Sequence, residues 1–232
     1  VHYYFAHTVL ENEVTLDQQE SHHCTKVMRH KIGDEITLLD GKGGVIKAQI
    51  SELGREVKAS VTSTEIKPKL WTLTIAVSPT KSADRMEWMV EKLVEIGIAK
   101  IVFISSSNSE RSKMQERRIR MKALAALKQS GNYYLPEISF DIDFKSLINE
   151  YTEEANFLAH CYRDLGDKFV PKSGEHHWGN SIPTLIAIGP EGDFTKSEVE
   201  FAVENGFVPL DLGSTRLRTE TAAIVACTLF NH

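Results

Sequence analysis

The sequence has few cysteines, no long apolar run and none of the common nucleotide-binding fingerprints. Its three cysteines, Cys24, Cys161 and Cys227, are widely spaced and odd in number, with no CxxC pair. That pattern argues against a disulfide framework and points to a reducing, cytoplasmic setting. No uninterrupted apolar stretch approaches the roughly 20 residues needed to span a bilayer, so no membrane partner is expected. No basic segment followed by an apolar one opens the chain, which predicts no secretory signal. Internal repeats and low-complexity segments are absent. Neither GxxxxGK[ST] nor GxGxxG occurs, which weakens the ATP and dinucleotide readings. Zinc-finger and HExxH spacings are also missing. His22-His23-Cys24 and His176-His177 therefore read as surface or core histidines, and no metal is predicted. A GxSxG elbow is absent as well.

The 232 residues are 41% apolar and 25% charged, the make-up of a globular protein with one large domain or two ordinary ones. A net charge of −5 argues weakly against nucleic acid, but binding follows local patches more than net charge. Between Asn108 and Asn132 lie seven bases (Arg111, Lys113, Arg117, Arg118, Arg120, Lys122, Lys128) and only two acids, Glu110 and Glu116. On its own that stretch reads as a solvated helix face.

Residues 1 to about 70 read as mostly β. Tyr3–Ala6 is one strand, and Gln18–His30 is a short helix with Ser21 near its start. Glu35–Asp40, Gly43–Ile50 and Glu56–Thr62 alternate and are rich in β-branched residues. Asp40-Gly-Lys-Gly-Gly joins the first two of these as a hairpin turn. The pattern breaks at Ile66-Lys-Pro-Lys-Leu, which places a domain boundary near 68–71. The N-terminal domain is then 1–69, a small β barrel or sandwich, and the second domain is 70–232.

The second domain alternates. Leu70–Val77 reads as a buried strand. From Asp84 the period turns helical, with Met86, Met89, Val90, Leu93 and Val94 on one face, Glu87, Glu91 and Glu95 opposite, and Gly97 as the C-cap. Lys100–Ser105 completes a βαβ unit, which implies parallel strands. A helix from about Met114 to Gln129 follows, with Met121, Leu124 and Leu127 inward. Pro136 opens another strand, Asp143–Glu150 a short helix and Phe157–His160 a strand. Cys161–Pro183 is a long loop of functional length. The order predicted for 70–232 is β-α-β-α-β-α-β-β-α-β-α.

Two stretches near the end share one grammar. Ile188-Gly-Pro-Glu-Gly-Asp-Phe-Thr195 and Leu212-Gly-Ser-Thr-Arg-Leu-Arg-Thr-Glu-Thr-Ala222 each follow an apolar run, turn at a glycine and lead into a helix. Ligands in α/β sheets sit at the carboxyl ends of strands, so two such loops form two walls of one small-molecule pocket. Gly189 and Gly192 permit close backbone approach, and Thr195 with Glu198 spells a capping box. Thr219 reads as an N-cap, with Glu220 in the first turn. Backbone N–H groups there suit an anion or a carboxylate. The residues leave the ligand open between a phosphate, a nucleotide and a carboxylate.

These paired loops resemble the C-terminal signature of SPOUT-class RNA methyltransferases, and more narrowly the RsmE family of small-subunit (16S) ribosomal RNA uracil-N3 methyltransferases. Three further stretches agree in order: Ser21-His-His-Cys-Thr-Lys-Val-Met-Arg with Gly33-Asp-Glu and Asp40-Gly; Glu91-Lys-Leu-Val-Glu-Ile-Gly-Ile with Ser109-Glu-Arg-Ser; and Gln129-Ser-Gly with Leu135-Pro-Glu-Ile. The likeness covers nearly the whole chain. It departs at Asn132, where the family often has arginine, and at Cys24, where it usually has an aliphatic residue.

The resemblance implies a SPOUT-type α/β trefoil-knot methyltransferase domain preceded by a small PUA-like β-barrel domain. It implies S-adenosylmethionine as cofactor, S-adenosylhomocysteine as product, no metal, and a homodimer acting on ribosomal RNA or the assembled small subunit. It assigns the cofactor to Ile188, Gly189, Pro190, Glu191, Gly192, Leu212, Gly213, Leu217, Arg218, Thr221 and Ala222. It points to Arg111, Arg218 and Glu191 for catalysis, and to Arg29, Lys81, Arg111, Arg117, Arg118 and Arg120 for RNA. A SPOUT enzyme acting on tRNA or a ribose 2′-hydroxyl, and a non-catalytic RNA-binding assembly protein, are the competing readings.

Overall fold

Alternating side chains shape the first part of the chain, and unbroken apolar runs shape the second. The computed structural model describes residues 2–10, 12–109, 114–151, 153–162, 164–165, 167–171 and 182–231. They form two compact units: Val1–Lys69 with Leu124–Leu135, and Leu70–Ala123 with Pro136–His232.

The first unit holds β1 (Tyr3–Phe5), β2 (Val9–Leu10), β3 (Glu13–Thr15), β4 (Glu35–Leu39), β5 (Gly44–Glu52) and β6 (Lys58–Ile66). Their order is β1-β4-β5-β6-β3-β2. The pairing of β1 with β4 is parallel and the others are antiparallel. Along β5 the buried residues Ile46, Ala48 and Ile50 alternate with exposed Lys47, Gln49 and Ser51.

 Tyr4, Val14, Leu16, Leu38, Val57 and Ala59 close the core around that face. The hairpin between β4 and β5 turns on Gly41 and Gly43, both at positive φ, while Asp40 Oδ1 accepts from Lys42 N (2.7 Å) and Gly44 N (2.8 Å).

Helix α1 (Gln18–His22) starts at Asp17, whose carboxylate accepts from Glu20 N at 2.8 Å, and it continues as a π-helical turn over His23–Val27. Ser21, expected near the helix start, is buried inside it. Its hydroxyl donates to Leu16 O (3.1 Å) and accepts from Val57 N (2.9 Å), tying the helix to the sheet. Residues 124–135 join this unit through specific bonds. Lys128 pairs with buried Glu20, Leu135 N donates to Gly41 O (2.8 Å), and Tyr134 Oη donates to Lys67 O (2.8 Å).

The second unit holds β7 (Leu73–Val77), α2 (Ala83–Ile96), β8 (Lys100–Ser105), α3 (Glu116–Ser130, grouped with this unit up to Ala123), β9 (Glu137–Asp143), α4 (Phe144–Glu150), β10 (Ala155–Ala159), β11 (Thr184–Ile188), α5 (Lys196–Glu204), β12 (Val208–Leu210) and α6 (Thr219–Asn231). Among the described residues this is the element order expected from the sequence. The sheet order is β12-β10-β11-β7-β8-β9, and every pairing is parallel.

Central strands β7 and β11 are buried at every position, as parallel strands covered on both faces must be. Phe144 and Leu147 of α4 and Val199 and Ala202 of α5 pack with Ala76, Val102, Leu158 and Leu185 on one face. On the other face α6 packs against α2, β7 and β11, and Phe230 meets Phe157 edge-on at 5.1 Å. Gly97 ends α2 at φ +106 with its N–H on Leu93 O (3.0 Å).

Two inward and outward assignments differ from the pattern reading. Met121 is 49% exposed, because the buried stripe of α3 runs through Ile119, Ala123, Ala126 and Leu127 and leaves position 121 on the far side. Glu87 is buried rather than solvated. Arg118 caps it as a fork, Nε to Oε1 at 2.8 Å and Nη2 to Oε2 at 3.1 Å.

Candidate functional site

Strands β10, β11 and β12 end side by side, and the segments that leave them surround one cleft of about 780 Å³. That size suits a small-molecule ligand. One wall is the turn after β11. Asp193 N donates to Pro190 O (2.9 Å), and Asp193 takes positive φ (+63°) with its carboxylate braced by Phe194 N and Cys161 N, both at 2.8 Å. A Cβ at Gly189 would stand 3.1 Å from Phe194 N, so the turn is tight against Phe194. The turn runs into α5 through the expected capping box, Thr195 with Glu198.

The other wall is the loop from Asp211 to Arg218. Gly213 adopts φ +128, and its N–H donates to Asp211 Oδ1 at 2.9 Å. Two hydrogen bonds latch the walls together. Thr219 Oγ1 donates to Gly189 O (3.0 Å), and Arg216 Nη2 donates to Glu191 O (2.8 Å). Thr219 is thus the first residue of α6, and its hydroxyl reaches across to the other wall. The sequence reading had it as an N-cap. The donor of a buried hydroxyl goes to the nearest unmet carbonyl, and here that belongs to Gly189.

Of the residues assigned to a cofactor, Ile188, Gly189, Pro190, Glu191, Leu212, Gly213, Leu217, Arg218 and Ala222 line the cleft. Gly192 and Thr221 do not appear in its lining. Gly192 instead faces Asn108, whose Nδ2 donates to Gly192 O (3.2 Å) and Asp193 O (3.0 Å). Glu191 and Arg218 share the cleft with exposed side chains. Arg111 lies outside the described residues.

Among the arginines assigned to RNA, Arg29 is exposed at positive φ (+56°) and Arg117 is exposed. Lys81 is also exposed. Arg118 is held by Glu87, and Arg120 donates to Ile138 O (3.1 Å) while lying over the Phe140 ring at 5.2 Å.

The lining also includes residues with no site role in the sequence reading, among them His160, Cys161, Lys168 and Asp193. Their signal was position alone, since His160 and Cys161 directly follow a strand and Asp193 sits in the glycine turn. Burial, and then Lys168, holds the His160 imidazole below its usual pKa. Local desolvation, and then Asp193, raises the Cys161 thiol, so it stays protonated at neutral pH and is a poor nucleophile.

The parallel sheet and its two-loop cleft lie within residues 67–231, which the family model described as an RNA methyltransferase domain matches. A second, described as an RNA methyltransferase PUA domain, matches residues 16–60. The structure of a probable rRNA-methyltransferase from Porphyromonas gingivalis is 37% identical, with TM-score 0.89 over 98% of this chain and 95% of that one. A ribosomal RNA small subunit methyltransferase E from Neisseria gonorrhoeae, bound to S-adenosyl methionine, is 25% identical, with TM-score 0.81 over 97% and 94%. The curated ribosomal RNA small subunit methyltransferase E of Synechocystis is 25% identical over 228 residues, 96% of this chain and 74% of the relative. The chain belongs to the RsmE family, the ribosomal RNA small subunit methyltransferases E.

Proposed function

We propose that this protein uses S-adenosylmethionine to methylate N3 of a uridine in small-subunit ribosomal RNA. The observation that carries the reading is the latched pair of glycine loops, joined by Thr219 to Gly189 and by Arg216 to Glu191 around one cleft. The residues fit the cofactor. The cleft is large enough, and its lining mixes apolar groups with a few polar ones. No group of metal-ligating side chains exists among the described residues.

Bound S-adenosylmethionine supplies an electrophilic methyl group on a sulfonium. The protein has to supply the rest. Uridine N3 carries a proton and becomes a competent nucleophile only when that proton leaves. Arg218, at the cleft, is suited to stabilising charge that develops on the uracil oxygens, and we assign Arg111 to the same end of the site. Glu191 stands on the facing wall as a proton acceptor or cofactor contact. The turns at Gly189–Pro190 and Leu212–Gly213 hold the cofactor partly through backbone atoms, which fixes the reacting groups in line.

RNA is held, in this reading, by the N-terminal domain, 1–69, and by the basic residues of α3, with 70–232 as the catalytic domain. Arg29, Lys81 and Arg117 are exposed and suited to phosphates. The target uridine must be accessible, which favours single-stranded or distorted RNA. The same reading includes a trefoil knot through the two loops, a homodimer and a cytoplasmic location. No helix among the described residues is long and apolar enough to cross a membrane.

The experiment is methylation in vitro of small-subunit particles that lack the mark, with the product nucleoside identified by mass spectrometry. 3-Methyluridine is the expected product. A methylated ribose, or product only with tRNA, would overturn the substrate assignment.

A further inference from the structure

His160 directly follows strand β10 and lines the cleft, and it is only 7% exposed. Both ring nitrogens are buried without a hydrogen-bond partner among the described residues. A buried imidazole normally satisfies at least one of them, because an unmet buried polar atom is costly. Two unmet atoms in one ring that lines a cleft indicate that a ligand meets them.

We propose that His160 recognises the cofactor by hydrogen-bonding the uncharged polar groups of its adenosine part; this rests on the methyltransferase reading above. A neutral imidazole has one donor and one acceptor, which match a ribose hydroxyl or the edge of an adenine. The surroundings keep it neutral. Burial acts first, and the Lys168 ammonium, which donates to the His160 carbonyl at 2.5 Å, adds to it. Asp193 and Asp164 oppose that effect less strongly, and the Tyr162 ring lies 5.9 Å away. A neutral ring does not suit the cofactor's carboxylate, which would favour an imidazolium.

Depth separates His160 from the RNA. Glu191, Arg216 and Arg218 line the same cleft with exposed side chains, where an incoming base can reach them. His160 lines that cleft too, but is closed off from solvent.

The test uses the full-length protein, titrated calorimetrically with S-adenosylhomocysteine, which binds without reacting, and with adenosine as a competing ligand. Wild type, His160→Phe and His160→Asn are compared, and each unliganded protein is melted. His160→Phe is expected to bind S-adenosylhomocysteine and adenosine about tenfold or more weakly. Its unliganded melting temperature should equal or exceed that of wild type, because two unmet polar atoms are gone. His160→Asn, which keeps a donor and an acceptor, should recover part of the affinity. Unchanged binding by His160→Phe would overturn the proposal, as would weaker binding that comes with a lower unliganded melting temperature, since that marks a packing role. A loss confined to S-adenosylhomocysteine and absent with adenosine would overturn the adenosine assignment. If wild type binds neither ligand, the methyltransferase reading fails, and this inference fails with it.

Discussion

The hydroxyl of Thr219 donates to the carbonyl of Gly189 at 3.0 Å, a buried bond between residues 30 apart in sequence. It joins the start of α6 to the turn after β11, and so fixes the spacing of the two cleft walls. Thr219→Val keeps the shape and removes the donor. The expected cost is about 1 kcal/mol of stability from the lost bond and the unmet carbonyl. Cofactor affinity should fall as well, because the walls lose their tie. Chemical denaturation and calorimetry read the two effects, and Thr219→Ser should restore both in part. Wild-type affinity in Thr219→Val would show that the latch does not set the cleft.

Arg218→Ala should lower turnover by about 100-fold or more if this guanidinium stabilises charge in the transition state. The circular dichroism spectrum and melting temperature should change little, because the side chain is exposed. Full activity in the variant would remove Arg218 from the mechanism.

The basic helix divides into cations with different tasks. Arg118 caps buried Glu87, so Arg118→Ala should destabilise the fold by about 1–2 kcal/mol, below the range for a fully buried pair because Arg118 is half exposed. Arg117 is exposed, so Arg117→Glu should leave stability nearly unchanged. If it touches a phosphate, the slope of log affinity for RNA against log salt should become shallower by about 1. Filter binding across a salt series, beside a denaturation curve, separates the two roles. An unchanged slope in Arg117→Glu would make that residue part of a solvated face.

The pH dependence of stability follows from His160. Its folded-state pKa lies below the ordinary imidazole value of 6.5, so the unfolded chain binds the proton more readily. The stability tied to the neutral ring is full above 6.5 and is lost as pH falls from there through the lowered value. Melting temperature should therefore drop between pH 7.5 and pH 5.5, and His160→Phe should drop less. His2 is shifted the same way, by burial and then by His23, and accounts for part of what remains in the variant. An equal drop in both proteins would mean that His160 does not titrate in this window.

Much of this molecule was legible in the chain. The period change at Asp84, the glycine stop at Gly97 and the capping box at Thr195 helped place the described elements of 70–232 in their observed order, because each is a local signal. The two glycine loops were legible for the same reason, since a turn and a helix start are written within a few residues. Their convergence on one cleft followed from where strand ends lie in a parallel sheet.

What sequence could not decide was every choice that depends on a distant neighbour. Helical period put Glu87 outside, and only Arg118, 31 residues away, makes its burial tolerable. The stretch Gln18–His30 put Ser21 near a helix start, where it stands, but its burial depends on its bonds to Leu16 and Val57. Thr219 read as a cap until Gly189 came within reach of its hydroxyl. His160 was one more residue after an apolar strand, and only the loops that follow β11 and β12 made it a buried lining residue of a cleft, with both ring nitrogens unmet among the described residues. Local propensity acts over one turn of helix or one hairpin, whereas burial and hydrogen-bond satisfaction are settled when segments far apart in the chain meet.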